Sequence, residues 1–195
     1  MTIYCATTNP GKLREFRIIV EHFAGDRITL EALPDLNQIT PPEETGATFE
    51  DNAEIKAEYY ASFANGLLFA DDSGLEVDAL NGAPGVHSAR FAGGAGDEAN
   101  NQLLLEKLKG VENRRARFVC VIALAEAGRT TRTWRGEVEG HIMEERSGMD
   151  GFGYDPLFFH EGFGQTFGEV SAAEKLLVSH RGKALGAMIA SLLQP

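Results

Sequence analysis

The stretch IYCATTNPGKLREF, residues 3–16, decides how the chain begins to fold. An apolar run stops at a polar turn holding Pro10 and Gly11, and a segment of helical periodicity follows. The pattern predicts a strand over residues 2–6 and a helix over 11–23, with Leu13, Phe16, Ile19 and Val20 on its apolar face. Such a turn puts free backbone N–H groups at a helix N-terminus, which favours anions. Thr7, Thr8 and Asn9 add donors, Gly11 permits close approach, and Lys12 supplies positive charge. It is not a Walker-type phosphate loop. That loop needs Gly five residues before its Gly-Lys pair and Ser or Thr after it; here those places hold Ala6 and Leu13. Taken alone, the turn reads equally as an anion site and as an ordinary connection carrying a surface Lys.

Working outward, the 195 residues suit one domain, or one domain with a large lobe. No apolar run has membrane-spanning length and no signal pattern opens the chain, so the expectation is a cytoplasmic protein. The net charge of −11 argues against a nucleic-acid polymer as partner, because phosphate-binding surfaces are normally basic. An acidic chain can still take a small phosphorylated ligand through a few placed donors and a divalent metal. Cys5 and Cys120 each lie inside an apolar run and read as buried, reduced thiols; no zinc spacing occurs.

Further along, residues 28–32 read as a second strand and 34–48 as a loop broken by Pro41, Pro42 and Gly46. A helix from about Thr48 to Asn65 follows, with Thr48 and Asp51 as its capping pair. GLLFADDSGL, 66–75, reads as a buried strand running into an acidic turn. Residues 97–109 read as a helix with Leu103, Leu104 and Leu108 inward, and 114–142 as a long β-hairpin turning near Gly128. A short strand is expected over 155–159, and a last helix from about His180 to Leu193 with Ser179 as N-cap. The fold class is α/β: a central twisted mixed sheet flanked by helices, with a long hairpin in the second half. A groove between two lobes would be a natural ligand site.

Four more segments carry chemistry. Asp71 and Asp72 follow an apolar strand and should point in different directions, so one carboxylate faces a given site. A carboxylate there holds Mg²⁺ or takes a proton from water, or else caps a local turn. Glu43 and Glu44 sit in the loop before the second helix and could add a metal carboxylate, while Lys56 on that helix could reach a phosphate. GMDGFGYDPLFF, 148–159, interleaves glycines with Phe152 and Tyr154; such aromatics stack on a flat ring or fill a core. Behind Ser179, His180 and Arg181 fall in the first turn of a helix, where cations are disfavoured and an anionic or carbonyl partner is called for.

In order, TTNPGK, EETGATFEDNAEIKA, FADDSGLEVDALNGAPGVHSARFAG, GFGYDPLFF, TFGEVSAAEK and SHRGKAL resemble one family nearly end to end. It is the inosine/xanthosine triphosphate pyrophosphatase family, which hydrolyses non-standard purine nucleoside triphosphates. The resemblance implies one domain of two lobes over residues 1–195, a substrate cleft between the lobes, and a homodimer. It implies Mg²⁺-dependent conversion of ITP, dITP or XTP to the monophosphate and pyrophosphate. By position it implies that Thr7, Thr8, Asn9, Pro10, Gly11 and Lys12 contact the substrate, chiefly its phosphates, and that Ser73 touches it. Asp72 is implied as the catalytic acid–base group and a metal ligand, with Glu44 the other metal carboxylate. Phe152, Gly153, Tyr154, Asp155, Lys175, His180 and Arg181 are implied to form the nucleoside pocket. Lys56, Asp71 and Arg90 match positions that support phosphates and metal. The competing readings are a pyrophosphatase for pyrimidine or modified nucleotides, and a nucleotide sensor without turnover.

Overall fold

The computed structural model describes residues 1–194. The chain alternates strands and helices early: β1 Thr2–Cys5, α1 Pro10–Ala24, β2 Thr29–Ala32, α2 Phe49–Ala61 and β3 Leu68–Val77. Then come α3 Asp97–Lys107, β4 Arg115–Glu126, β5 Arg129–Ile142, β6 Phe158–His160, β7 Gln165–Thr166, α4 Ala172–Lys175 and α5 His180–Leu192. The seven strands form one sheet in the order β2-β1-β3-β4-β5-β6-β7. It is mixed. β1 pairs parallel with β2 and β3, while β5–β6 and β6–β7 are antiparallel. The expected hairpin is β4–β5, closed by Ala127 and Gly128, both at positive φ as a two-residue hairpin turn requires.

Two compact units are built from interleaved segments. The first holds Met1–Asp72, Cys120–Gly136 and the chain from His180 on. Its core sets Ile3, Phe16, Ile19, Leu68 and Phe69 with the inner half of β4 and with Leu185, Met188 and Ile189 of α5. Phe16 meets Phe69 edge-on, with centroids 5.2 Å apart. α1 packs on α5. α5 begins so close to β5 that a Cβ at Gly136 would collide with the backbone at His180 and Ala184. The second unit, Ser73–Val119 and Glu137–Ser179, has its own core. There Leu75, Leu104, Leu108, Val138 and Ile142 surround a cluster of Phe118, Phe158 and Phe167. No helix among the described residues is long and apolar enough to cross a membrane.

The structure shifts several expected boundaries. α2 stops at Ala61, four residues before Asn65, because the N–H groups of Ser62 and Phe63 turn back to Tyr59 and Tyr60. β3 does not turn at the acidic pair but continues through Asp71 and Asp72 to Val77. The strand expected over 155–159 begins only at Phe158, since Asp155 is occupied in a turn and Pro156 has no N–H to give a ladder. α4 was not anticipated. Its signal is the reciprocal capping box Ser171–Glu174, legible in SAAE.

Candidate active site

Alternation along β3 sends its two carboxylates to two different helices. Asp71 meets Lys12 of α1, with Nζ 2.6 Å from Oδ2. Asp72 meets Lys56 of α2, with Nζ 2.7 Å from Oδ1. Lys56 is also 3.2 Å from Glu44 Oε1, so one ammonium joins two carboxylates. Glu44 is half-buried here and Glu43 is exposed, which separates the two acids of that loop. α2 is held in place by its Thr48–Asp51 capping box. The loop before it is tied by Asn52, whose Oδ1 accepts the Gly46 N–H at 2.8 Å.

Burial would push the Asp71 carboxyl up, but the charges of Lys12, Lys56 and Arg181 outweigh it and hold the group below the ordinary carboxylate range. For Asp72 burial wins. Its carboxyl lies above the ordinary value although Lys56 and Lys12 pull it down, and Glu44 adds to the rise. Burial lowers Lys56, and Asp72, Asp71 and Glu44 together more than reverse that, so the ammonium is strongly held. The second oxygen of Asp72, Oδ2, is buried with no hydrogen-bond partner among the described residues. A buried carboxylate oxygen left bare is costly unless something else engages it.

The opening turn differs from expectation in one respect. Its helix N–H groups are not free. Asn9 is the N-cap, and its Oδ1 accepts from Gly11 at 2.8 Å and from Lys12 at 3.1 Å. Leu13 N–H goes to the Asn9 carbonyl. Asn9 N–H itself donates to Thr7 Oγ1 at 3.2 Å. Pro10 takes the first helical position, where its missing N–H costs nothing. The positive charge of this turn therefore comes from the Lys12 ammonium, beside exposed Thr8 and Asn9.

His180 and Arg181 are both buried at the start of α5. The anionic partner their position calls for is Glu15 of α1, whose Oε2 accepts from Arg181 Nη1 at 2.9 Å. Glu15 carried no signal beyond being an acid on a helix, so the sequence reading missed it.

The second unit gathers the other residues. Asp155 and Lys175 form an ion pair of 2.8 Å in which both side chains are only 3% exposed. Asp155 also accepts the Phe152 N–H at 2.9 Å. Lys175 lies 5.5 Å from the centre of the Phe167 ring. Phe152 is half-buried, whereas Tyr154 is a core residue whose hydroxyl donates to the Ser88 carbonyl at 2.9 Å. Gly153 sits at φ +63°. Ser73 is half-buried on β3, and Arg90 is exposed at the end of the 3₁₀ turn Gly85–Arg90.

A divalent metal can be tested against these side chains. Glu44 and Asp72 converge on one cation, and Asp72 Oδ2 is an orphaned hard donor. No group of three or more His, Cys, Asp or Glu among the described residues could hold a metal. Two carboxylates without a closed cage fit a cation that completes its shell with water and phosphate oxygens, as Mg²⁺ does.

The chain matches the Ham1 family over residues 3–191. It is 48% identical to the dITP/XTP pyrophosphatase of Exiguobacterium sibiricum over 195 residues, covering 98% of this chain and 97% of that protein. It is 50% identical to the dITP/XTP pyrophosphatase of Listeria innocua over 186 residues, covering 94% and 90%. The solved Staphylococcus aureus Ham1 protein shares the backbone at a TM-score of 0.84 with 40% identity, covering 98% of each chain. On likeness that runs almost from end to end, the chain belongs to the Ham1 family.

Proposed function

We propose that this protein hydrolyses non-standard purine nucleoside triphosphates, ITP, dITP and XTP, to the monophosphate and pyrophosphate. The observation that carries the reading is Asp72: a buried carboxylate, one oxygen on Lys56, the other bare, in a chain about half identical to named dITP/XTP pyrophosphatases.

In this reading the triphosphate meets Lys12 and Lys56, whose charges offset part of its own. Thr7 to Gly11 and Ser73 line its approach, and Asp71 holds Lys12 in place from below. Asp72 takes the proton of the attacking water as general base. The water oxygen bonds to the α-phosphorus, the bond from that phosphorus to the α–β bridging oxygen breaks, and pyrophosphate leaves with that oxygen. Mg²⁺, held by Glu44 and Asp72, would neutralise phosphate charge. Arg90 supports the phosphates.

Phe152 offers its ring face to the base. Lys175, His180 and Arg181 supply donors that suit the 6-oxo group of hypoxanthine or xanthine and leave the amino group of adenine unpaired. Asp155 pairs with Lys175 and holds it in place, while Gly153 and Tyr154 shape the turn. The same reading carries a homodimer acting in the cytoplasm on a small nucleotide, with no nucleic-acid polymer and no membrane as partner. Incubation with ITP, XTP and ATP, with and without Mg²⁺, tests it: the 6-oxo substrates should be consumed and ATP largely spared.

A further inference from the structure

We propose that Asp97 and Asn101 are positioning residues for purine recognition: together they hold Gly153 by both its backbone polar groups and so fix the Phe152 ring against the base. The proposal rests on the pyrophosphatase reading above.

Gly153 N–H donates to Asp97 Oδ2 at 2.8 Å, and the Gly153 carbonyl accepts from Asn101 Nδ2 at 2.9 Å. Both side chains come from α3, four residues apart and hence stacked on one helix face. The helix is anchored by Leu104 and, just past its end, by Leu108, both fully buried. On the other side of the turn, the Phe152 N–H is held by Asp155, which the buried Lys175 fixes in turn. Phe152 therefore sits between two clamped amides. Gly153 has φ +63° and nothing within 4 Å of where a Cβ would stand, so backbone conformation, not crowding, selects glycine there. A turn of this kind wanders unless its polar groups are engaged.

Asp97 is exposed, so its loss should leave the core intact, whereas Asn101 is buried. A base stacked on Phe152 is held alike in the ground and transition states. Loosening it removes uniform binding, which raises KM and leaves kcat alone.

The test uses full-length protein as wild type, Asp97→Ala and Asp97→Asn, read by amide exchange at Gly153 and by steady-state kinetics on ITP. In Asp97→Ala, Gly153 exchange should rise about tenfold and KM about fivefold, with kcat within about twofold. Asp97→Asn keeps an oxygen acceptor and should restore both values. Faster exchange with unchanged KM, unchanged exchange, or an Asn variant as impaired as the Ala variant each overturns the proposal. A wild-type protein that neither binds nor hydrolyses ITP overturns the pyrophosphatase reading, and this proposal with it, so the wild-type arm separates the two failures.

Discussion

Lys56 reaches Asp72 Oδ1 at 2.7 Å and leaves Asp72 Oδ2 buried without a hydrogen bond among the described residues. The pair thus divides one carboxylate into a half that is held and a half that is available. If Asp72 is the base, Asp72→Asn should lower kcat on ITP by about 10² to 10⁴. The amide keeps the shape and leaves Lys56 its Glu44 partner, so nucleotide binding by calorimetry should survive. Turnover within tenfold of wild type would remove Asp72 from the chemistry.

In the proposed reading Lys12 meets phosphate, and in the structure it answers Asp71, whose side chain is 2% exposed. Replacing Lys12 by Met strands a buried carboxylate and should cost about 3 kcal/mol in urea unfolding. The double variant Lys12→Met/Asp71→Asn should recover much of that stability but not the affinity for triphosphate. Simple addition of the two single costs would contradict a coupled pair.

Gly151 should be as sensitive as a core residue. Its φ is +77°, and an added Cβ would collide with the Asp155 carboxylate that fixes Lys175. Gly151→Ala should cost about 2–4 kcal/mol and weaken ITP binding, because strain and a displaced buried ion pair add together. A melting temperature equal to wild type would show that the turn can yield.

These residues also mark what the sequence could reveal. The strand–turn–helix opening, the Thr48–Asp51 cap, the β4–β5 hairpin and the divergence of Asp71 from Asp72 follow from periodicity, turn chemistry and alternation. All of these are local rules. The partners were not local. Arg181 finds Glu15 across 166 residues, Lys12 finds Asp71 across 59, and Gly153 is held by Asp97 and Asn101 more than 50 positions away. Two acids in one loop, Glu43 and Glu44, look alike until the backbone turns one inward. Tyr154 and Phe152 likewise share a motif, yet one fills a core and the other stays half-exposed.

The two thiols give a pH test free of any ligand. Burial pushes Cys5 from its ordinary 9.0 up to about 12 and raises Cys120 further. Above pH 9 the unfolded chain releases thiol protons that the native chain keeps, so it binds fewer protons and stability falls as pH rises. The contribution is whole below pH 9 and is lost between there and about pH 12 for Cys5. Burial raises Tyr154 too, with the same sign. Urea midpoints should therefore decline above pH 9, and more gently in Cys5→Ala. At pH 8 a thiol reagent should leave the native protein untouched and label both cysteines once it is unfolded. Rapid native labelling would contradict the burial.

Which phosphoanhydride breaks is the most direct test of the central claim. Wild-type protein is incubated with ITP and Mg²⁺, and the first-formed products are separated and quantified. Inosine monophosphate and pyrophosphate in equal amounts, with ATP turned over much more slowly, are predicted. Orthophosphate as the first product, or ATP consumed as readily as ITP, would contradict the account.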